Sequence, residues 1–569
     1  MGSDSTALAG YGAAFADPGE PFLTYHAILP DRSVRAARST RGEVWSLARR
    51  AAHVLRRHGV GRGECFAHYF SGNRPSDLAF RLGATMVGAV PVTVNWQADT
   101  PERVAYKLEL TESRLVVADG GVPQAALAGR RVFAAEALAD EPELSDDAFC
   151  RDLDREATRI IIFTSGTTGQ PKGVRLPYRS YATNRATFES FLRIGEGDRF
   201  APLVVNPLHH TNSAAITDWA LRRPGTRLHL VERYSTAFWA VLAEVASQGY
   251  DRVVVPMVSR HFDFLESLRQ EGRLPVPLAE LEAAMGRVDF LLGSAPVGPT
   301  TVRRLQEHAG RTPLVRFGST ETCLQVMGTP PDLSEEQRLA AFQRGWSHTW
   351  RGEPQSGYYV GRPHPPHTEC RVVRSVTRGA AGYFADCAEG EPGRVITRGD
   401  NVMAGYVRDE AATREVLHEG GWYTGLGDVG FWLASEADGG ADWYWMSRES
   451  ALLIRGGANY AYDQINAELR DFVAQRYGLP DEAFDLAVVG LRLASEHEDA
   501  CCVTLELKSD QAMAKRGELE ATFLAEAPRH VSKGARPDRL RVAPVPRNFK
   551  GAILVPELKQ QTRAALGGG

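Results

Sequence analysis

The chain has 569 residues, 43% hydrophobic and 24% charged, with a formal net charge of −4 at pH 7. That length exceeds one hydrophobic core, so two or more domains are expected. The balanced charge offers no electrostatic reason for nucleic acid or an anionic membrane as partner, and no apolar run reaches the ~18 residues of a membrane span.

Residues 1–18 have no basic stretch followed by an apolar one, which does not read as a secretory signal; a cytoplasmic location is expected. Segment 40–58 reads as an amphipathic helix, with Val44, Leu47, Ala51, Val54 and Leu55 on one face and Gly59 as its stop. Segments 78–87 and 101–110 read as helices, and 114–120 as a buried strand running into a turn. Strands expected at 251–256, 288–293 and 313–318 share one form: short, apolar and closed by Gly or Pro. This is the rhythm of an α/β protein with mainly parallel sheets, where ligands collect at the carboxyl ends of strands. From about Gly357 short strands and glycine turns predict a β-rich subdomain. Beyond Ser447-Arg448, strands at 486–490 and 501–507 and helices at 464–476 and 518–526 predict a small α+β domain. The expected division is 1–446 and 447–569. The seven cysteines are scattered and odd in number, which reads as reduced thiols, and no Cys/His spacing suggests zinc.

The most informative stretch is Thr164-Ser165-Gly166-Thr167-Thr168-Gly169-Gln170-Pro171-Lys172-Gly173, which follows the apolar run Ile160-Ile161-Ile162-Phe163. Glycines let backbone N–H groups approach an anion, the hydroxyls donate further hydrogen bonds, and Lys172 adds a mobile positive charge. The loop reads as a phosphate holder, but it lacks the G-x-x-x-x-G-K-[ST] spacing of a P-loop. Farther on, Phe317-Gly318-Ser319-Thr320-Glu321 puts a carboxylate at a strand end. Beside a phosphate loop, such a carboxylate could hold Mg2+.

These two segments together resemble the adenylate-forming superfamily of AMP-forming synthetases and ligases, and further motifs follow in the family order to Ile553. The resemblance implies a large N-terminal domain of two mainly parallel α/β subdomains plus a β-rich subdomain, with a small mobile C-terminal domain. It implies that Thr320 meets the α-phosphate, that Glu321 binds magnesium, and that Gly293-Ser294-Ala295-Pro296 lies against adenine. Asp428, at the end of Gly421-Trp422-Tyr423-Thr424-Gly425-Leu426-Gly427-Asp428, would accept the ribose hydroxyls; this copy carries one extra residue after Trp422. Arg448 would touch ribose or phosphate, with Ser450 at the hinge position, and Gly456-Gly457 would let a pantetheine arm pass. Pro207-Leu208-His209-His210-Thr211-Asn212 is similar to an element of acid–CoA ligases that lines the acid pocket, with His210 as gate. Val255-Pro256-Met257, Gly318 and residues near Asp218-Trp219 would complete that pocket.

One departure bears on catalysis. In Pro546-Arg547-Asn548-Phe549-Lys550-Gly551-Ala552-Ile553-Leu554, Ala552 stands where the family carries the lysine that bridges carboxylate and α-phosphate. Three explanations compete: an introduced knock-out, which is favoured because the nucleotide motifs are recognisable; replacement by Lys550; or a chain naturally poor at adenylation. The implied activity is adenylation of an acid by ATP, with release of pyrophosphate, then transfer to a nucleophile. CoA leads as acceptor. An amine or a carrier protein is the alternative, including activation of nitrite in a diazotase; a non-catalytic nucleotide binder is the third reading. A homodimer is compatible with all three.

Overall fold

A computed structural model describes residues 7–566 apart from Ala98, Ala128, 165–169, Glu196, Ala295, 351–352, 355–356, 449–451, 456–457, His497 and 548–552. The chain forms two compact units, the first comprising Met1–Thr164 and Lys172–Ser447, the second built on Arg448–Gly569.

Two sheets organise the first unit. Six neighbouring strands of the larger, 13-stranded sheet run parallel: Pro21–Ile28, Leu228–Val231, Phe200–Val204, Arg252–Met257, Asp289–Leu292 and Leu314–Phe317. Their side chains alternate between two apolar clusters. Val254, Leu291 and Leu314 enter one, whereas Val253, Val255, Met257, Phe290, Leu292 and Val315 enter the other. A sheet buried on both faces needs near-continuous apolar strands, which is why these segments read as short runs rather than as alternating ones. The strands expected at 251–256, 288–293 and 313–318 are those of Arg252–Met257, Asp289–Leu292 and Leu314–Phe317.

The β-rich texture after Gly357 is present and continues this same sheet. Met327–Gly328 pairs antiparallel with Leu314–Phe317 and then with Tyr358–Pro363. From there Ala441–Arg448, Asp428–Ala434, Gly393–Gly399 and Thr368–Val373 extend the order to the edge. The architecture is therefore α/β with parallel sheets, as the sequence predicts, with an antiparallel wing grown on one side.

The second, 7-stranded sheet places Val90–Thr93, Cys65–Tyr69, Leu115–Ala118 and Arg131–Ala134 in parallel beside Thr158–Thr164. Thr158–Thr164 pairs antiparallel with Lys172–Pro177, with Thr164 opposite Lys172, and Gly405–Tyr406 adds an edge strand to that hairpin. The segment between Thr164 and Lys172 thus connects the arms of a hairpin and is not followed by a helix. The helix expected at 40–58 spans Arg41–Arg57; Thr40 caps it reciprocally with Glu43, and Gly59 follows with φ +71°.

In the second unit, Phe484–Leu491, Ala500–Leu507 and Arg539–Val542 form a three-stranded sheet against the helices Tyr462–Tyr477 and Arg516–Glu526. Tyr462 is buried there and its hydroxyl accepts from the Gly490 N–H at 2.6 Å. All seven cysteines are unpaired. Among the described residues no helix is long and apolar enough to cross a membrane.

Candidate functional site

The carboxyl end of the strand Leu314–Phe317 carries a set of hydrogen-bonded polar groups. After Phe317 the chain turns through Gly318 into a single helical turn, Thr320–Thr322. The turn closes on itself: the Leu324 and Cys323 N–H groups donate to the carbonyls of Ser319 (2.9 Å) and Thr320 (3.1 Å), and the Val326 N–H donates to Phe317 O (2.8 Å). A β-carbon on Gly318 would overlap the Leu324 carbonyl, so only glycine lets the loop fold back this closely.

Three outside elements pin the turn. The Met403 N–H donates to the Glu321 carbonyl at 2.7 Å, and the Asn401 amide donates to Thr322 O at 3.0 Å. The Thr211 hydroxyl donates to Thr320 Oγ1 at 3.0 Å. The Tyr406 hydroxyl donates to Glu321 Oε1 at 3.2 Å. Burial pushes the Tyr406 hydroxyl above its ordinary range, and the negative Glu321 pushes it further, so it stays a proton donor. Lys172 Nζ lies 5.0 Å from the Tyr406 ring centroid. The end of the 164–173 segment and the Glu321 turn, 149 positions apart, thus meet through one tyrosine.

His210 caps the helix Thr211–Arg222, its N–H donating to Pro207 O at 3.1 Å, and its ring stands 4.3 Å from that of His209. The His210 side chain reaches solvent, yet protein crowds it. Desolvation, with the Lys107 cation adding repulsion, holds its imidazole below the ordinary range. His209 is driven down further, by burial and by His210. Both rings are neutral near pH 7. Behind them Asn73 ties the segment down: its amide donates to Val231 O (2.9 Å) and Asn206 O (3.2 Å), and its oxygen accepts from the Leu208 N–H (2.9 Å). Arg81 reaches Leu208 O at 2.9 Å, while Asp77 holds Arg81 at 2.6 Å and His68 at 2.9 Å.

Asn212 accepts a hydrogen bond from Arg316 Nη2. Arg316 is 3% exposed, and its Nε and Nη1 have no hydrogen-bond partner. Gly293 lies against it; a β-carbon there would stand 3.0 Å from Arg316 Cγ. Ser294 follows with φ +67° and is exposed, and the Pro296 carbonyl accepts from Ser259 at 3.4 Å.

Other predicted positions have surroundings of their own. Val255 and Met257 pack into the apolar cluster with Trp239 and Phe262; the Pro256 carbonyl accepts from the Asn206 amide at 3.1 Å. Asp218 is buried, holding Arg185 at 2.7 Å and accepting from Tyr11. Asp428 begins the strand Asp428–Ala434, 3% exposed, and accepts from the Trp445 indole at 2.8 Å. Gly427, just before it, is left-handed at φ +64°. Arg448 ends the strand Ala441–Arg448. Ser165, Gly166, Thr167, Thr168, Gly169, Ala295, Ser450, Gly456, Gly457, Lys550 and Ala552 lie outside the described residues.

Two residues escaped the sequence reading. Tyr406 gave no local signal, because its role comes from an edge strand that only the fold brings to Glu321. Arg316 did leave one: a charge inside the four-residue run Leu-Val-Arg-Phe, all buried or nearly so.

Residues 14–407 match the model of the family described as AMP-binding enzyme. A sulfoacetate–CoA ligase of Cupriavidus necator is 28% identical over 382 residues, 66% of this chain and 65% of that protein. An indoleacetate–CoA ligase of Aromatoleum aromaticum is 28% identical over 499 residues, 83% of this chain and 82% of that protein. In fold, a double mutant of o-succinylbenzoate CoA synthetase from Bacillus subtilis superposes with a TM-score of 0.74 at 21% identity, covering 98% of each chain. ATP-bound MatB from Rhodopseudomonas palustris gives 0.62 at 20% identity, over 98% of this chain and 99% of that one.

Proposed function

Because this chain belongs to the family of AMP-binding enzymes, we propose that it adenylates an acid with ATP and passes the activated group to CoA. The observation that carries the reading is the convergence of Lys172, Tyr406, Glu321, Thr320 and Thr211 at the carboxyl end of a parallel sheet, where α/β proteins hold nucleotides. The CoA ligases among its relatives support CoA as acceptor.

In this reading an oxygen of the acid attacks the α-phosphorus of ATP. The bond from that phosphorus to the β-bridging oxygen breaks, and pyrophosphate leaves with the electron pair. The thiolate sulfur of CoA then attacks the carbonyl carbon of the mixed anhydride, and AMP leaves. Thr164, Ser165, Gly166, Thr167, Thr168, Gly169 and Lys172 hold the phosphates; Thr320 orients the α-phosphate. Residues 293–296 and Phe317 flank the base, and Asp428 and Arg448 take the ribose. His209, His210, Thr211 and Asn212 wall the acid, Ser450 is the hinge between domains 1–446 and 447–569, and Gly456 and Gly457 line the thiol route.

Mg2+ fits Glu321. Among the described residues no three His, Cys, Asp or Glu side chains gather to hold a metal unaided. A single carboxylate completed by phosphate oxygens and water is the usual magnesium arrangement, and it supplies neutralisation of phosphate charge. Tyr406 donates to one oxygen of the Glu321 carboxylate, and Glu321 would hold the ion.

Pyrophosphate exchange over a panel of acids, with and without CoA, tests the reading. Acid-dependent exchange and a CoA-dependent thioester are expected. An active acid that yields product only with an amine or a carrier protein would reassign the acceptor.

A further inference from the structure

A guanidinium taken out of water needs its donors satisfied and a negative charge nearby. Arg316 has neither among the described residues. Nε and Nη1 carry three N–H donors, and none has a partner; the single bond goes to the neutral amide oxygen of Asn212. Burial alone holds the group down, to about 9, with no carboxylate to offset it. An uncompensated cation of this kind is costly, and the fold goes to some trouble to keep it. Gly293 is the residue that leaves room for its stem, and Asn212 orients its head. Period two along Leu314–Phe317 puts Arg316 on the face of Leu314, the face covered by the helix that begins at Thr211. That places the guanidinium at the carboxyl end of the sheet, one residue from Phe317 and beside the acid-pocket element 207–212.

Building on the adenylation reading, we infer that Arg316 recognises a second oxyanion on the acid substrate, so that the acid this chain activates is a dianion such as a dicarboxylate or a sulfonated carboxylate. The second charge, rather than the reacting one, suits the site. The reacting carboxylate loses its charge when it becomes the mixed anhydride, which would leave Arg316 uncompensated in mid-reaction. A spectator oxyanion stays paired through both half-reactions, and a planar guanidinium suits it geometrically.

The test uses the full chain with malonate, succinate, glutarate and sulfoacetate, each against the monoamide of the same acid. The readouts are pyrophosphate exchange and the rise in unfolding temperature on adding acid with ATP. At least one dianion is expected to exceed its monoamide tenfold or more in kcat/KM. Arg316→Gln is expected to lower that value at least thirtyfold for the dianion and less than threefold for the monoamide, with ATP binding unchanged. Asn212→Asp gives Arg316 an internal counter-charge and is expected to erase the preference while leaving the fold intact. Monoamides turned over as well as dianions, or an equal loss on both in Arg316→Gln, would overturn the inference. If no acid supports exchange in the wild type or in Ala552→Lys, but a dianion protects the wild type and not Arg316→Gln, the inference stands and the adenylation reading falls. If no dianion is turned over or protects, the inference falls.

Discussion

The Tyr406 hydroxyl donates to Glu321 Oε1 across 85 positions of sequence, from the edge of one sheet to the end of a strand in the other. A neutral donor on a carboxylate both orients it and leaves its charge in place. Tyr406→Phe removes that donor without emptying the space. The expected cost is about 1.5–3 kcal/mol, or roughly 10- to 100-fold in the rate of adenylate formation. Pyrophosphate exchange at saturating ATP checks this; an unchanged rate would deny the pair any part in holding the site.

Gly318 is irreplaceable on steric grounds. Gly318→Ala drives a methyl into the Leu324 carbonyl, and backbone cannot step aside as a flexible side chain can. The turn bearing Thr320 and Glu321 must open. A loss of about 3 kcal/mol in stability and near-complete loss of exchange are expected. Thermal unfolding and exchange on the same preparation check both, and a variant with wild-type melting and activity would contradict the geometry.

Acid should destabilise the first unit through a histidine pair. His26 Nε2 and His229 Nδ1 are 3.1 Å apart, and both rings are buried. Burial pushes His26 down to about 4 and His229 to about 3. The unfolded rings take protons near pH 6.5, so their contribution is complete above that pH and is lost as pH falls towards 4. For His26 this is worth roughly 3 kcal/mol. Melting temperature measured from pH 7.5 to 4.5 should fall more steeply in the wild type than in His229→Asn; parallel curves would rule the pair out as the cause.

Ala552 stands where the resembled family places a lysine, and the neutralising charge it lacks is an electrostatic contribution to catalysis. Ala552→Lys is expected to raise pyrophosphate release by two orders of magnitude or more with a competent acid. Equal rates would point to Lys550 or to a chain that works without the charge.

The parallel strands and the helix at Arg41–Arg57 were legible because each carries its signal locally: an apolar run closed by a small residue, or an apolar stripe at helical spacing stopped by Gly59. The Thr320–Glu321 turn was legible for the same reason. What the sequence hid is what the sheets assemble. No spacing announces that Gly405–Tyr406 will join the hairpin of 158–177, or that Val255 and Met257 will face the core while Arg316 faces the helix at Thr211. Which face a strand residue takes depends on partners far away in sequence, and a run that is apolar on both faces carries no alternation to reveal it.

The pairing of Thr164 with Lys172 has a last consequence, one of entropy. Both ends of the intervening segment are anchored to neighbouring strands, so its closure was settled when the hairpin formed. The entropy of bringing those two ends together is thus a cost of forming the sheet, not of anything the intervening residues later bind.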